Sequence, residues 1–404
     1  MSVGIHALEV CLPSLYCTAE ALEQYHGVDG KYTRGLLMES FSCPAPNEDV
    51  VSMCLSSLDR LLILTRIDPT DVGMLIVASE SFIDASVSIQ SVLARYMCDK
   101  GCVNLLGSDV YHACYGCTGA LLACADWIQS PLCDKPYAIV VCSDIADMTE
   151  NYKFMVGGAS VALLVGRNAP LELRNRYSYT NNSWDFYKPV GSLSMAPIVD
   201  GTESVEVYKH CLLECLEQAQ RDNTHLATCD RVILHFGSSV KFVKHASDYL
   251  CNLIHEDAES FFDAKIAPSL KIARCVGPHH TASVFVSILS LLLDGGKDLI
   301  GSSIAVFSYG SGASATLFML QVHDLPAFSP DVIDRDLNAR AEVSAKAFEE
   351  ACANFSNTYG ATDFKPDSPV LDSQHCVLVE CKGGRRAYEL CNAPSCSTQA
   401  GVVS

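Results

Sequence analysis

The sequence predicts a mixed α/β protein, and two observations carry that reading. Short apolar runs alternate with helix-length stretches along most of the chain. The segments 74–165 and 231–320 also show similar orders of elements, which suggests an internal duplication despite low residue identity between them.

The elements follow in order. The start, Val3-Gly4-Ile5, is strand-like. Residues 74–78 read as a buried strand stopped by Ser79-Glu80-Ser81, and 86–98 as a helix. Residues 103–110 read as a short buried approach to a helix over 113–129, which contains no proline. A strand at 137–142 follows; Gly157-Gly158 breaks the chain before another at 159–165. Residues 202–221 are predicted helical with Thr202 as N-cap. A strand at 231–235, a helix at 240–253 and an apolar helix at 281–293 come next. Strands at 303–307 and 314–322 flank Tyr309-Gly310-Ser311-Gly312. The Ala/Glu/Lys composition of 339–353 predicts an amphipathic helix, and 376–380 a late strand. Residues 325–335 and 355–373, rich in Pro, Asp, Ser and Asn, read as surface loops.

Composition bounds the function. The chain has 404 residues, 49% hydrophobic and 19% charged, enough for a large core. No apolar run reaches about 18 residues, so no membrane span is expected. The start lacks the look of a leader and the last three residues are not a peroxisomal tripeptide, so the cytoplasm is expected. A net charge of −19 argues against nucleic-acid or anionic-membrane partners. Most of the 21 cysteines lie in apolar segments and read as buried, reduced thiols. The one clear CxxC is Cys114-Tyr115-Gly116-Cys117, which leaves a thioredoxin-like reading open. A structural zinc site usually needs four ligands, and no second CxxC is present.

Three residues suit nucleophilic chemistry. Cys114 is expected on the first turn of an apolar helix, where the dipole would lower the thiol pKa. Glu80 follows a buried strand, a place that suits acid/base work. His235 ends another strand, ahead of Phe236-Gly237. Each has a bland alternative: a core cysteine, a solvated carboxylate, a structural histidine.

Together with their surroundings they resemble the eukaryotic 3-hydroxy-3-methylglutaryl-CoA synthases. The matching motifs run over nearly the whole chain. They include Val3-Gly4-Ile5-His6, Ser79-Glu80-Ser81-Phe82, Ala113-Cys114-Tyr115-Gly116, Asp144-Ile145-Ala146, Asp185-Phe186-Tyr187-Lys188-Pro189, Phe307-Ser308-Tyr309-Gly310 and Arg385-Arg386-Ala387-Tyr388. The resemblance implies a thiolase-like fold of two duplicated mixed-sheet halves in a layered αβαβα core. Residues 1–170 would carry the catalytic Glu and Cys, and 171–404 the catalytic His and the CoA-binding segment, in one compact catalytic unit. It further implies the mevalonate route to isoprenoids and sterols, a homodimer, CoA thioesters as substrates, and no metal or other cofactor.

The implied roles are specific. Cys114 takes the acetyl group of acetyl-CoA, Glu80 removes a methyl proton from it, and His235 anchors acetoacetyl-CoA. Asp144 and Asp185 match supporting acids, and Ser204 and Ser311 substrate-contacting serines. Lys244 matches a CoA-phosphate lysine, with Lys241 one residue displaced from another; Lys31 lies near the expected CoA entrance. The departures cluster around the acyl pocket. The family's Gly-Asn before Tyr-Thr corresponds to Gly277-Pro278-His279-His280-Thr281, so Pro278 replaces an amide donor. Tyr152 replaces a substrate-contacting Asn, Val156 a Thr, and Cys117 a glycine. These changes predict altered substrate choice, a reduced rate or lost condensation. They keep two alternatives in play: a silent paralogue that binds CoA or a protein partner, and a condensing enzyme with another acyl acceptor.

Overall fold

The computed structural model describes residues 2–147, 154–189 and 196–391, together with the short strand Val402–Val403. Nine strands form one sheet. In chain order they are β1 (Val3–Cys11), β2 (Val72–Ala78), β3 (Leu106–Val110), β4 (Tyr137–Ala146), β5 (Gly157–Arg167), β6 (Leu171–Thr180), β7 (Arg231–Leu234), β8 (Ser303–Gly310) and β9 (Ser314–Val322). Across the sheet they run β7-β8-β9-β6-β1-β5-β4-β2-β3. A seam falls where β1 meets β6, with Gly4 opposite Glu172 and Ile5 opposite Leu171. A Cβ at Gly4 would sit 1.8 Å from the Leu171 carbonyl oxygen, so the seam requires glycine there.

Outward from the seam, both sides use the same order: first strand, last, next-to-last, second. Both also repeat the same pairing sense, antiparallel, antiparallel, then parallel. The internal duplication suggested by the order of elements is therefore written in the topology. β3 is the extra strand, parallel to β2 at the sheet edge.

Six helices cover the sheet: α1 (Val50–Thr65), α2 (Ile89–Asp99), α3 (Gly116–Gln129), α4 (Gly201–Arg221), α5 (Val240–Ile254) and α6 (Ser283–Gly295). Strand alternation sorts them into layers, because successive side chains face opposite sides. Ile76 and Ala78 of β2, with Ile233 of β7, join Cys117 and Leu121 of α3 and Phe285 and Leu289 of α6 in one core. Leu75 and Val77 face Leu55 and Leu58 of α1 and Leu93 of α2 instead. Val232 and Leu234 face Leu212 of α4 and Leu250 of α5. The result is helix, half-sheet, helix, half-sheet, helix, the two half-sheets joined at the seam. The middle helices are covered on both sides, which is why α6 is apolar nearly all round and buried from Ser283 to Leu292.

Several expectations need correction. β3 is not a buried approach: Leu106, Gly107 and Ser108 are exposed, as befits an edge. The cap of α4 is Asp200, whose carboxylate accepts from the Thr202 and Glu203 amides. The helix expected at 339–353 is interrupted by a bridge at Ala341–Glu342, and the loops expected at 325–335 and 355–373 are partly helical. Helices span Pro330–Ala339 and Ala345–Thr358. Pro330 starts the first of these, in the one helical position where its missing N–H costs nothing.

Candidate active site

Four chain turns converge at the ends of β2, β3 and β7 and ahead of α6. Cys114 lies just before α3, with Tyr115 at the N-cap, and not on the helix's first turn as expected. Ala113 before it has φ 41°, a left-handed conformation rare for a residue with a Cβ. The thiol is 3.6 Å from Glu80 Oε1 and 3.5 Å from His280 Nδ1. Its pKa is raised, not lowered. Burial is the main cause, and the Glu80 and Asp144 carboxylates add to it, outweighing Lys188. Cys117 is fully buried in the central layer against Cys142, and both cysteines of the CxxC are free thiols.

Glu80 holds two partners besides the thiol. His280 Nδ1 lies 3.1 Å from Oε1, and Lys188 Nζ 3.6 Å from Oε2. The Glu80, Cys114 and His280 donor atoms all fall within 4.8 Å of one another, a set that could also hold a metal ion.

Asp144, fully buried at the end of β4, ties these turns together. Its Oδ1 accepts from the Glu80 amide at 2.8 Å and the Ser79 and Ser81 hydroxyls at 3.0 and 2.9 Å. Its Oδ2 accepts from the Thr281 amide at 3.0 Å and hydroxyl at 2.5 Å. One carboxylate thus fixes the turn carrying Glu80 to the turn carrying His280. Burial, reinforced by Glu80, pushes the Asp144 carboxyl up.

His235 is 2% exposed and lies near His279 and His280. Burial, and then the two neighbouring imidazoles, lower its pKa to about 3. Its Nδ1 has no protein partner among the described residues. His279 stacks on Phe236 at 5.6 Å and bonds the Gly277 carbonyl. Burial lowers both His279 and His280 to about 4. Beyond His235, whose ring lies 6.2 Å from that of Tyr309, the buried Asp185 accepts from Tyr309 at 3.2 Å and Ser311 at 2.8 Å. Asp185 and Ser311 are therefore joined by a hydrogen bond.

The residues expected to contact CoA lie on several separate elements. Lys31 lies over the Tyr32 and Phe154 rings, and Lys244 over Phe262. Lys241 donates its amide to the Leu36 carbonyl at the start of α5, and Ser204 occupies the first turn of α4. Val156 is buried and lines a cavity with Leu22, Phe348 and Cys352 and with the polar His26, Asp147, Glu349 and Ser356, but its own side chain cannot make the hydrogen bond of the expected Thr. The Pro278 carbonyl abuts Gly157, where a Cβ would lie 2.3 Å away, so Pro278 shapes the backbone without offering a donor. Tyr152 lies outside the described residues. Sequence reasoning missed Lys188 and His280. Lys188 sat inside a quoted motif, and His280 in a segment already marked as divergent.

Comparisons with known proteins agree with this geometry. The hydroxymethylglutaryl-coenzyme A synthase N-terminal family model matches residues 1–170, and its C-terminal counterpart residues 239–377. A hydroxymethylglutaryl-CoA synthase of Mycosarcoma maydis is 31% identical, covering 90% of this chain and 92% of that one. The mitochondrial synthase of Sus scrofa is 32% identical over 90% of this chain and 84% of its own. The solved structure of MvaS in complex with 3-hydroxy-3-methylglutaryl coenzyme A superposes with a TM-score of 0.83 at 28% identity, over 97% of this chain and 99% of that one. PksG of Bacillus subtilis shares the fold, with a TM-score of 0.87 at 22% identity over 97% and 100%.

Proposed function

Because the chain belongs to the hydroxymethylglutaryl-CoA synthase family, we propose that it condenses acetyl-CoA with acetoacetyl-CoA through an acetyl-Cys114 intermediate. The observation that carries the reading is the contact of Cys114 with Glu80 inside one buried cluster. The thiol attacks the acetyl thioester and CoA leaves. Glu80 then takes a methyl proton, and the resulting enolate attacks the acetoacetyl ketone. Water hydrolyses the Cys114 thioester and frees 3-hydroxy-3-methylglutaryl-CoA. Glu80 is held against the thiol that carries the acetyl group, so its carboxylate can reach the methyl proton. The neutral His235, with a ring nitrogen unpaired among the described residues, is suited to bind the acceptor's carbonyl. No metal or other cofactor is needed for these steps. Lys31, Lys241 and Lys244 would meet the CoA phosphates. Supply of isoprenoid and sterol precursors is the pathway role that follows from the product.

The reading extends to a homodimer formed along β3, where Leu106 and the flanking Val103 and Tyr111 are 55%, 82% and 77% exposed. Among the described residues no helix is long and apolar enough to cross a membrane. The described cysteines are free thiols, which suits a reducing compartment, and we take that to be the cytoplasm. Pro278 favours a slower enzyme, since a missing oxyanion-type donor costs about 10²–10³ in rate.

The test is intact mass spectrometry after mixing with acetyl-CoA. Cys114 should gain an acetyl group, Cys114→Ala should gain none, and Glu80→Ala should label without going on to condense. An unlabelled native protein would sink the reading.

A further inference from the structure

The scheme above leaves one close contact unused. His280 Nδ1 stands 3.5 Å from the Cys114 sulfur and 3.1 Å from Glu80. We propose that His280 is the base that takes the Cys114 proton during acyl transfer, so that this chain activates its nucleophile with a cysteine–histidine pair. The inference rests on the acyl-cysteine reading.

The geometry supports it in three ways. The imidazole is 3% exposed and anchored: Thr281, the next residue, is gripped through its amide and hydroxyl by Asp144. His280 itself has φ 39°, a strained conformation for a residue with a Cβ, and such strain persists where surroundings hold it. The resting thiol is protonated, because burial and two carboxylates hold its pKa up, so attack needs a base in contact with sulfur. Two groups touch the thiol, Glu80 and His280. At neutral pH the ring is uncharged, kept so by burial and by Lys188 against the pull of Asp144.

The groups facing the ring divide over its transient charge. Glu80 at 3.1 Å and Asp144 offset an imidazolium, while Lys188, His235 and His279 oppose it. The proton moves from Sγ to Nδ1 as the bond from Sγ to the acetyl carbon forms. When the bond from that carbon to the CoA sulfur breaks, the leaving thiolate takes the proton from Nδ1 and departs as CoA thiol. The ring returns to neutral and Glu80 is untouched, ready for the methyl proton. This requires the tautomer with hydrogen on Nε2, an atom without a protein partner among the described residues.

The test is rapid-quench acetylation of Cys114 at several pH values from neutral to alkaline. The native rate should be nearly flat. His280→Gln and His280→Tyr should lose about 10²–10⁴-fold at neutral pH, the range of a lost general base, and regain about tenfold per pH unit as hydroxide supplies the thiolate. Acetyl-CoA affinity should stay within about threefold, separating this role from a structural one. A variant that folds and acetylates within about threefold of native, with the same pH profile, overturns the proposal. Should one variant fail to fold, the other decides. If native protein takes no acetyl group, the functional reading fails, and iodoacetamide alkylation of Cys114 judges the pair by the same comparison of pH profiles.

Discussion

At the scale of single residues, Asp144 does more than its neighbours. It accepts five hydrogen bonds from two turns that belong to different halves of the fold. An amide in its place accepts on one side only, so Asp144→Asn should strand Thr281. That should cost about 1–3 kcal/mol, read as a lower urea midpoint, and should loosen His280 and Glu80 enough to cut turnover about tenfold or more. Unchanged stability and turnover would mean the network is slack. Glu80 and Cys114 were legible because each follows a recognisable strand or motif. His280 was not, because its meaning depends on a thiol 166 residues away. The thiol pKa was misjudged for a similar reason: the helix end is visible in sequence, whereas the carboxylates that oppose it arrive from β2 and β4.

At the scale of elements, the site exists because turns at matching places in the two halves meet. Glu80 follows β2 and His235 follows β7, the second strand of each half; Cys114 precedes α3 and His280 precedes α6, the paired central helices. Strand and helix existence was readable from periodicity, since buried strands and apolar central helices leave strong patterns. Ends were less so: the Asp200 cap and the break near Ala341 depend on tertiary partners. Gly310 ends β8 against the nucleophile's turn, and a Cβ there would lie 2.5 Å from the Tyr115 amide nitrogen and 2.8 Å from the His112 carbonyl oxygen. Gly310→Ala should therefore keep the circular-dichroism spectrum but slow Cys114 acetylation about tenfold or more, since misplacement of about 1 Å is that costly; native speed would contradict the contact. Ser108→Pro in β3 should remove edge pairing and shift sedimentation from dimer to monomer. A dimer that survives the change would place the interface elsewhere.

At the scale of the whole molecule, the buried histidines make folding sensitive to acid. His235 falls to about 3, and His279 and His280 to about 4, against 6.5 for ordinary imidazoles. The unfolded chain binds these protons first, so the stability they contribute is complete above pH 6.5 and is lost as pH falls toward 4 and 3. At about 1.4 kcal/mol per unit, the loss reaches several kcal/mol. The raised Asp144 works the other way and offsets part of it. Urea midpoints should drop between neutral pH and about pH 4.5, and drop less in His279→Phe; a flat profile would mean these rings are not buried neutral. The central claim is the condensation itself. Acetyl-CoA carrying ¹³C in both acetyl carbons, mixed with unlabelled acetoacetyl-CoA and the protein, should give 3-hydroxy-3-methylglutaryl-CoA with both labels in the free-carboxylate arm. Absence of that labelled product, with Cys114 acetylated or not, would contradict it.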